Sequence, residues 1–410
     1  MRSLLLTILA VLCVCISAVA QTPDLTQTQQ LYRIVDGDTV RYTYTPFVVD
    51  STLFEPQKRG FLRRLVDYFE GSTEDKTFEK KIDITFAGGP SYSKTTKLGI
   101  AVLAAGLYRL DRTDSITPPS DISIYANVTT SGFYSVGVMG NNLFREVRGK
   151  IDYDINFSSA PRDVWGIGYR AGAHNSKSEM VEERYLIYGR YQHRILPNTY
   201  LGPLLNFEHI HGRKFNEVSL GCLEGQHHTY TATGLGASLE YDSRDFIPNP
   251  WRGAYLSVQG IWFARGLGSC DQSLWRINFR ANTYLRLWLG GLLATDFYGE
   301  FNSEGAPWPL LARMGGNERM RGYYLGQYTD NNLLTAQVEL RQRIWRRIGC
   351  VVWGGAGTVF SKREPFAWRH ALPNYGLGLR WELKKRVNVR MDYGFGRNTS
   401  GFLLSINEAF

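Results

Sequence analysis

The sequence predicts an all-β fold: a sixteen-stranded antiparallel transmembrane β-barrel with long loops on one side and a short helix near its start. Three observations carry this. From Lys81 onward apolar and polar residues alternate with period two, in runs of about ten to fourteen residues, longer than ordinary globular strands. One face of those runs is apolar and aromatic, as lipid requires, and the other is heavily charged, as a wet lumen requires. The chain holds 24 Tyr, 42 Gly and 13% aromatic residues, and no apolar run of helix-spanning length follows its first twenty residues. Backbone groups in lipid must pair among themselves, so such a sheet must close on itself.

Taken in order, residues 1–20, "MRSLLLTILAVLCVCISAVA", read as a secretory signal. Arg2 is the charged end, Leu4 to Ile16 the apolar run, and Ala18-Val19-Ala20 the small-residue cleavage site. The run is too short for an uncleaved membrane helix. Residues 21–79 form a periplasmic or lumenal segment of different character. In it, "KRGFLRRLVDYFEGS" places Phe61, Leu62, Leu65, Val66, Tyr68 and Phe69 on one helical face. This amphipathic helix, 58–70, suits a membrane surface, a partner, or the protein's own rim or lumen.

Residues 81–410 supply the barrel. In "EVRGKIDYDINF", Val147, Gly149, Ile151, Tyr153, Ile155 and Phe157 alternate with Glu146, Arg148, Lys150, Asp152, Asp154 and Asn156. "LWRINFRANTYLRL", "LLTAQVELRQRI" and "RVNVRMDYGF" repeat the pattern. The expected strands are 81–91, 96–110, 119–129, 132–141, 145–157, 182–194, 198–211, 229–242, 253–265, 273–287, 291–301, 333–345, 349–360, 374–384, 387–396 and 401–410. Connections then alternate between short periplasmic turns and long outer loops, the usual barrel asymmetry.

The net charge of +9 would suit nucleic acid, but export excludes that partner. Enzyme chemistry has no support: His227-His228 lacks zinc-ligand spacing and no nucleophile elbow is present. We expect no catalytic residue, no metal and no cofactor. Cys222 and Cys270 both lie in loops, and two readings stay open, a pair formed in an oxidising compartment or two free thiols.

Four stretches carry a resemblance. They are the turn "YDSRDFIPNPWRGAYLSV" (241–258), the loop "GGNERMRGYYLGQ", the strand "VELRQRI" after it, and the aromatic end "LSINEAF". Together they resemble the BamA/TamA-type outer-membrane assembly barrels, the bacterial surface antigen superfamily, over roughly 81–410. The resemblance implies a protein of the bacterial outer membrane that takes part in inserting or exporting outer-membrane proteins. Its partners would be lipid, client barrels, and a periplasmic or lipoprotein component. A passive anion-favouring pore or a structural scaffold is the alternative, with Arg148, Lys150, Arg276, Arg280, Arg286, Arg341, Arg343 and Arg390 expected to face inward.

The resemblance also implies that loop 302–332 re-enters the barrel and that Arg321, Gly322 and Tyr323 form its tip. Glu339 is the first-choice partner of Arg321 by strand parity, and Asp296, Glu300 and Asp392 are second choices. Gly355 stands where the family carries an inward Asp, so that carboxylate is expected to be missing, with the grip resting on Glu339 alone or on a different acid, and so looser or re-routed. Asp242, Arg244, Asp245, Pro248 and Gly253 are expected to shape the turn, whose chemistry explains them structurally. Phe402, Leu404, Ile406 and Phe410 are expected to alternate on the last strand as a targeting signal or an interface girdle. The mechanism would use a weak seam between 81–91 and 401–410, loosened by Gly88, Gly89, Gly396 and Gly401. Family members usually carry periplasmic polypeptide-transport-associated domains; 21–79 lacks their pattern, so that module is expected to be absent or supplied by another chain.

Overall fold

The computed structural model describes residues 77–410 except 94–95, 115–116, 175, 248 and 385, together with a small hairpin pairing Arg33–Val35 with Asp38–Val40. The chain divides into two compact units, 1–59 and 60–410. The expected signal, helix 58–70 and Pro248 lie outside the described residues.

The second unit is a closed antiparallel barrel of sixteen strands among the described residues. In chain order they are β1 Asp83–Ser93, β2 Lys97–Tyr108, β3 Ser120–Thr129, β4 Tyr134–Leu143, β5 Gly149–Val164, β6 Ser178–Leu196, β7 Thr199–Arg213 and β8 Thr229–Asp242. There follow β9 Gly253–Gly268, β10 Leu274–Trp288, β11 Gly291–Asn302, β12 Asn332–Trp345, β13 Ile348–Phe360, β14 Leu372–Lys384, β15 Val387–Gly396 and β16 Thr399–Ile406. Every strand pairs with its sequence neighbours, whether a short turn or a long loop joins them, and β16 closes onto β1.

Period two decides the two faces. On β12, Ala336, Val338 and Ile344 face outward and are exposed, while Thr335, Gln337, Glu339 and Arg341 face inward and are buried. No described helix is long and apolar enough to cross a membrane.

Three expectations need correction at the strand ends. Arg145–Val147 form a 3-10 turn with Glu146 at φ 56° and Val147 at φ 52°, which no strand tolerates, so β5 starts at Gly149. Arg148 is therefore an exposed turn residue paired with Glu146, not a lumen cation. The last strand stops at Ile406, and residues 407–410 leave the ladder as a tail.

Loop 303–331 has its own structure. A 3-10 turn, Trp308–Leu310, leads into Ala312–Met314, which pairs with Tyr328–Asp330. Met314, Met320, Tyr323 and Tyr328 pack against inward Leu333, Val359 and Leu372 of the wall and against Tyr169 of the short helix Tyr169–His174. The loop fills the lumen as a small core of its own. Cys222, Cys270 and Cys350 are free thiols. Cys270 packs among Leu204, Phe263 and Leu274, and Cys222 ends a separate helix, Glu217–Cys222. Burial pushes both loop thiols up, with Asp271 adding to it at Cys270.

Candidate functional site

The loop tip is made by backbone choices. Met320 has φ 50° and Gly322 φ 102°, and the Tyr323 amide donates to the Met320 carbonyl at 3.1 Å. The bend is tight enough that a Cβ on Gly322 would stand 2.6 Å from the Gly394 carbonyl oxygen of β15. Glycine answers both demands, the left-handed backbone and the close approach.

The tip presents Arg321 to the wall. The residue is 1% exposed, and its two acid partners are both at 0%. Nη2 donates to Glu339 of β12, and Nη1 donates to Asp392 of β15 at 2.8 Å. The guanidinium carbon lies 3.7 Å from the ring centroid of Trp353 on β13. Asn374 of β14 donates its side-chain amide to the Arg321 carbonyl. Four consecutive strands thus hold one residue. A guanidinium suits this place because it stays charged, forks toward two acids and stacks on an aromatic face.

Position 355 carries no carboxylate, and the grip is re-routed to a different acid. Asp392, two strands further on, occupies the second side of Arg321, and Trp353 supplies its floor. Gly355 meanwhile faces Gln337, whose amide donates to Asp296. Asp296 has a partner of its own from the loop, since Arg319 Nε donates to it at 2.8 Å with the guanidinium 4.2 Å from the Tyr298 ring centroid. Glu300 accepts from the Tyr298 hydroxyl and lies 3.7 Å from Arg276. A third loop arginine, Arg313, reaches Glu182 of β6.

Beyond Arg321 the pairs close into a ring. Glu339 also accepts from Arg341 Nε at 2.9 Å, and Asp392 from Arg380 Nη1 at 2.6 Å. Arg380 and Arg341 both face Glu408 of the tail, at 2.8 and 3.8 Å. Three arginines and three acids therefore alternate: Arg321, Glu339, Arg341, Glu408, Arg380, Asp392. Each charge has an opposite charge on both sides, which is what buried ions need. The ring joins a loop that starts at the outer end of the barrel to the tail that follows β16.

That tail corrects the expectation for the last strand. Phe402, Leu404 and Ile406 face outward, but Phe410 is off the strand, buried with Tyr284, Leu292 and Ala294. Its carbonyl accepts from Arg341 Nη2 at 2.9 Å, and Asn388 donates to Glu408 at 2.7 Å. Tyr323 also lies in the lumen, with its hydroxyl donating to the Pro373 carbonyl and accepting from the Arg397 amide. Its ring occupies the space a side chain on Gly396 would take, so Gly396 is a landing place for the loop.

The seam is the thinnest part of the wall. Among the described residues β16 and β1 share a single register pair, Leu404 opposite Tyr92. By contrast, β15 and β16 pair without a break from Val389–Ile406 to Gly396–Thr399. One aromatic contact, Tyr92 to Phe402 at 5.8 Å, lies across the gap.

The turn motif spans the opposite mouth. Arg244 forks onto Asp242 at 2.9 and 2.7 Å. Asp245 accepts from the amides of Trp251 and Arg252 and from Arg386 Nη2 at 2.7 Å, an arginine in the β14–β15 turn. Trp251 lies 5.1 Å from Arg343 and 5.8 Å from Arg286. Gly253, at φ 104°, permits the return into β9. The turn 243–252 is thus tied to turns on the far side of the mouth. Sequence reasoning named the ring's Arg321 and Glu339, missed Trp353, Asn374, Arg319, Glu408 and Gly394, and assigned Gly396 to the seam, whereas it lies on β15 against the Tyr323 ring. Parity does report that all of these strand residues face inward.

An apolar outer wall, a charged lumen and a loop packed inside it define a self-plugged β-barrel of the outer-membrane kind. The Omp85 superfamily domain matches residues 126–410, and the chain belongs to that superfamily. Its fold is similar to BamA from Haemophilus ducreyi lacking POTRA domains 1–3, with TM-score 0.55, 12% identity, and coverage of 82% of this chain and 77% of that one. It is similar also to CdiB from Acinetobacter baumannii (TM-score 0.52, 13% identity, 80% and 60% covered) and CdiB from Escherichia coli (0.52, 10%, 80% and 63%). The chain thus spans about three-fifths of the CdiB chains. No curated protein sequence matches it.

Proposed function

We propose that this barrel inserts or exports polypeptides at the outer membrane by opening its β1–β16 seam. The single register pair between Leu404 and Tyr92 carries the reading. A sheet edge that is barely paired leaves backbone donors and acceptors ready to template an incoming strand. The client would be another β-barrel or an exported chain. A periplasmic or lipoprotein partner would deliver it. The ion ring bears on the same event, because Glu408 fixes the tail next to the seam strand.

A disulfide lock tests this. Tyr92→Cys and Leu404→Cys stand directly opposite, within reach of a disulfide. The oxidised double variant should fold, run as a compact heat-modifiable barrel, and deplete other outer-membrane or secreted proteins, with recovery on reduction. Full activity of the locked barrel would remove the seam from the mechanism. A steady anion-selective conductance in planar bilayers, unchanged by the lock, would favour a passive pore instead.

A further inference from the structure

β1 carries a proline inside the strand, Pro90 of Asp83–Ser93. Proline has no amide hydrogen to give to a ladder, so a sheet tolerates it only where that hydrogen would meet no partner strand. In a closed barrel every strand has two neighbours, and the side on which Pro90 falls decides what it does. The ladder shows the side. At the end of β3 the Thr130 amide donates to the Leu98 carbonyl, so on β2 the even-numbered residues turn their backbone groups toward β3 and the odd-numbered ones toward β1. Gly89 pairs with Ala101, and Ser91 with Gly99. The odd-numbered residues of β1 therefore bond to β2, and Gly88, Pro90 and Tyr92 present their backbone to β16.

β16 has the matching parity. The Asn407 amide donates to the Asn388 carbonyl at the start of β15 at 2.8 Å, so the odd-numbered residues face β15, and Phe402, Leu404 and Ile406 face β1. Leu404 stands opposite Tyr92. Two residues further along each strand, the antiparallel register brings Ile406 to Pro90. The Ile406 carbonyl finds no amide hydrogen at that position, and the ladder ends there. Asn407 then takes φ 67°, and the chain turns inward with Glu408 entering the ion ring. Had β16 run on, Glu408 would have continued the outward face of Leu404 and Ile406. That would set a carboxylate against lipid, which is unfavourable.

We propose that Pro90 is the positioning residue of the seam. It ends the β1–β16 ladder one step past Tyr92, keeps the seam from zipping shut, and releases residues 407–410 toward the lumen. An extended polypeptide added to β1 can bond on either side of Pro90 but not across it, so the same residue fixes the register of an incoming strand. This last step rests on the seam reading above. Gly88 and Gly89 keep their amides and cannot break the ladder in this way.

Pro90→Val restores the donor with a residue that strands favour, at a position already exposed on the outer face. Amide exchange of the full barrel in detergent micelles, read by NMR, is the test. The Tyr92, Leu404 and Ile406 amides face the seam and should exchange about fivefold more slowly than in the wild type, the effect of one added hydrogen bond. The Ala87, Gly89 and Ser91 amides face β2 and should not change. Pro90→Ala should act in the same direction, which separates the donor from the bulk of valine. Unchanged seam amides in both variants, or equal slowing on both edges of β1, would overturn the proposal. Activity separates it from the seam mechanism. Slower seam exchange with full insertion or export would remove the seam from function and leave Pro90 its place. A disulfide lock that abolishes activity, beside seam amides untouched by Pro90→Val, would do the reverse.

Discussion

The guanidinium carbon of Arg321 lies 3.7 Å from the centre of the Trp353 ring, while its two amino groups reach Glu339 and Asp392 on either side. A loop residue is thereby held by an aromatic floor and two acidic walls, all supplied by strands. The arrangement is specific to a planar, permanently charged group.

Arg321→Ala should free the tip of loop 303–331. Removing one partner of a buried ion pair typically costs about 3–5 kcal/mol, because the acids left behind stay buried. Protease cleavage within the loop and single-channel conductance should both rise. Arg321→Lys should resemble the alanine variant more than the wild type, since a point charge neither forks nor stacks. A lysine variant with an intact, protease-resistant loop would show that charge alone suffices.

The ring predicts coupling between residues that do not touch. Arg321 and Glu408 are linked only through Glu339–Arg341 and Asp392–Arg380. In a double-mutant cycle, Arg321→Ala and Glu408→Gln should miss additivity by about 0.5–3 kcal/mol, the range for residues in one ion-pair network. Unfolding midpoints in urea would measure it. Simple additivity would mean that loop and tail are held separately.

Gly322→Ala and Gly394→Ala should each unseat the tip. The first places a side chain at φ 102° and 2.6 Å from the Gly394 carbonyl, and the second pushes on the Arg321 carbonyl from the other side. Strain of this kind costs about 1–3 kcal/mol. Both variants should still form barrels but show faster loop proteolysis.

The strap between Asp245 and Arg386 should fail only in strong acid. Burial alone would raise the Asp245 carboxyl, but the Trp251 amide, Arg386 and the Arg252 amide outweigh it and hold it below its usual value. Because the folded value is the lower one, the stabilisation is complete above the unfolded value, about 3.9, and fades as pH falls through the folded value. Exchange protection of the Trp251 and Arg252 amides, corrected for intrinsic rates, should be flat from pH 7 to about pH 5 and lost only in the acid range near and below pH 4. Loss already between pH 6 and 5 would point to a different group.

Much of the fold was legible because period two is local. Each residue pair along "LLTAQVELRQRI" reports its own inside and outside, and turns follow from Asn, Gly and Pro. Sixteen strands and their neighbours follow from that alone. The Glu339 partner of Arg321 was also within reach, since inward parity narrows the acids to a few. Strand ends were less legible: the positive-φ turn at Glu146–Val147 and the tail after Ile406 both interrupt a pattern that looks continuous.

Alternation along the chain was enough for a closed, two-faced barrel, because it needs no knowledge of distant residues, while the inward loop with Arg321 came from the resemblance of its tip. Only the tertiary structure decided which acids hold that arginine, that Trp353 lies beneath it, that Glu408 completes a ring, and that the seam rests on one register pair. The physical reason is closure. Which inward side chains meet across the lumen depends on the tilt and stagger of all sixteen strands together, and on how deep the loop sits, and neither quantity is written in any one segment.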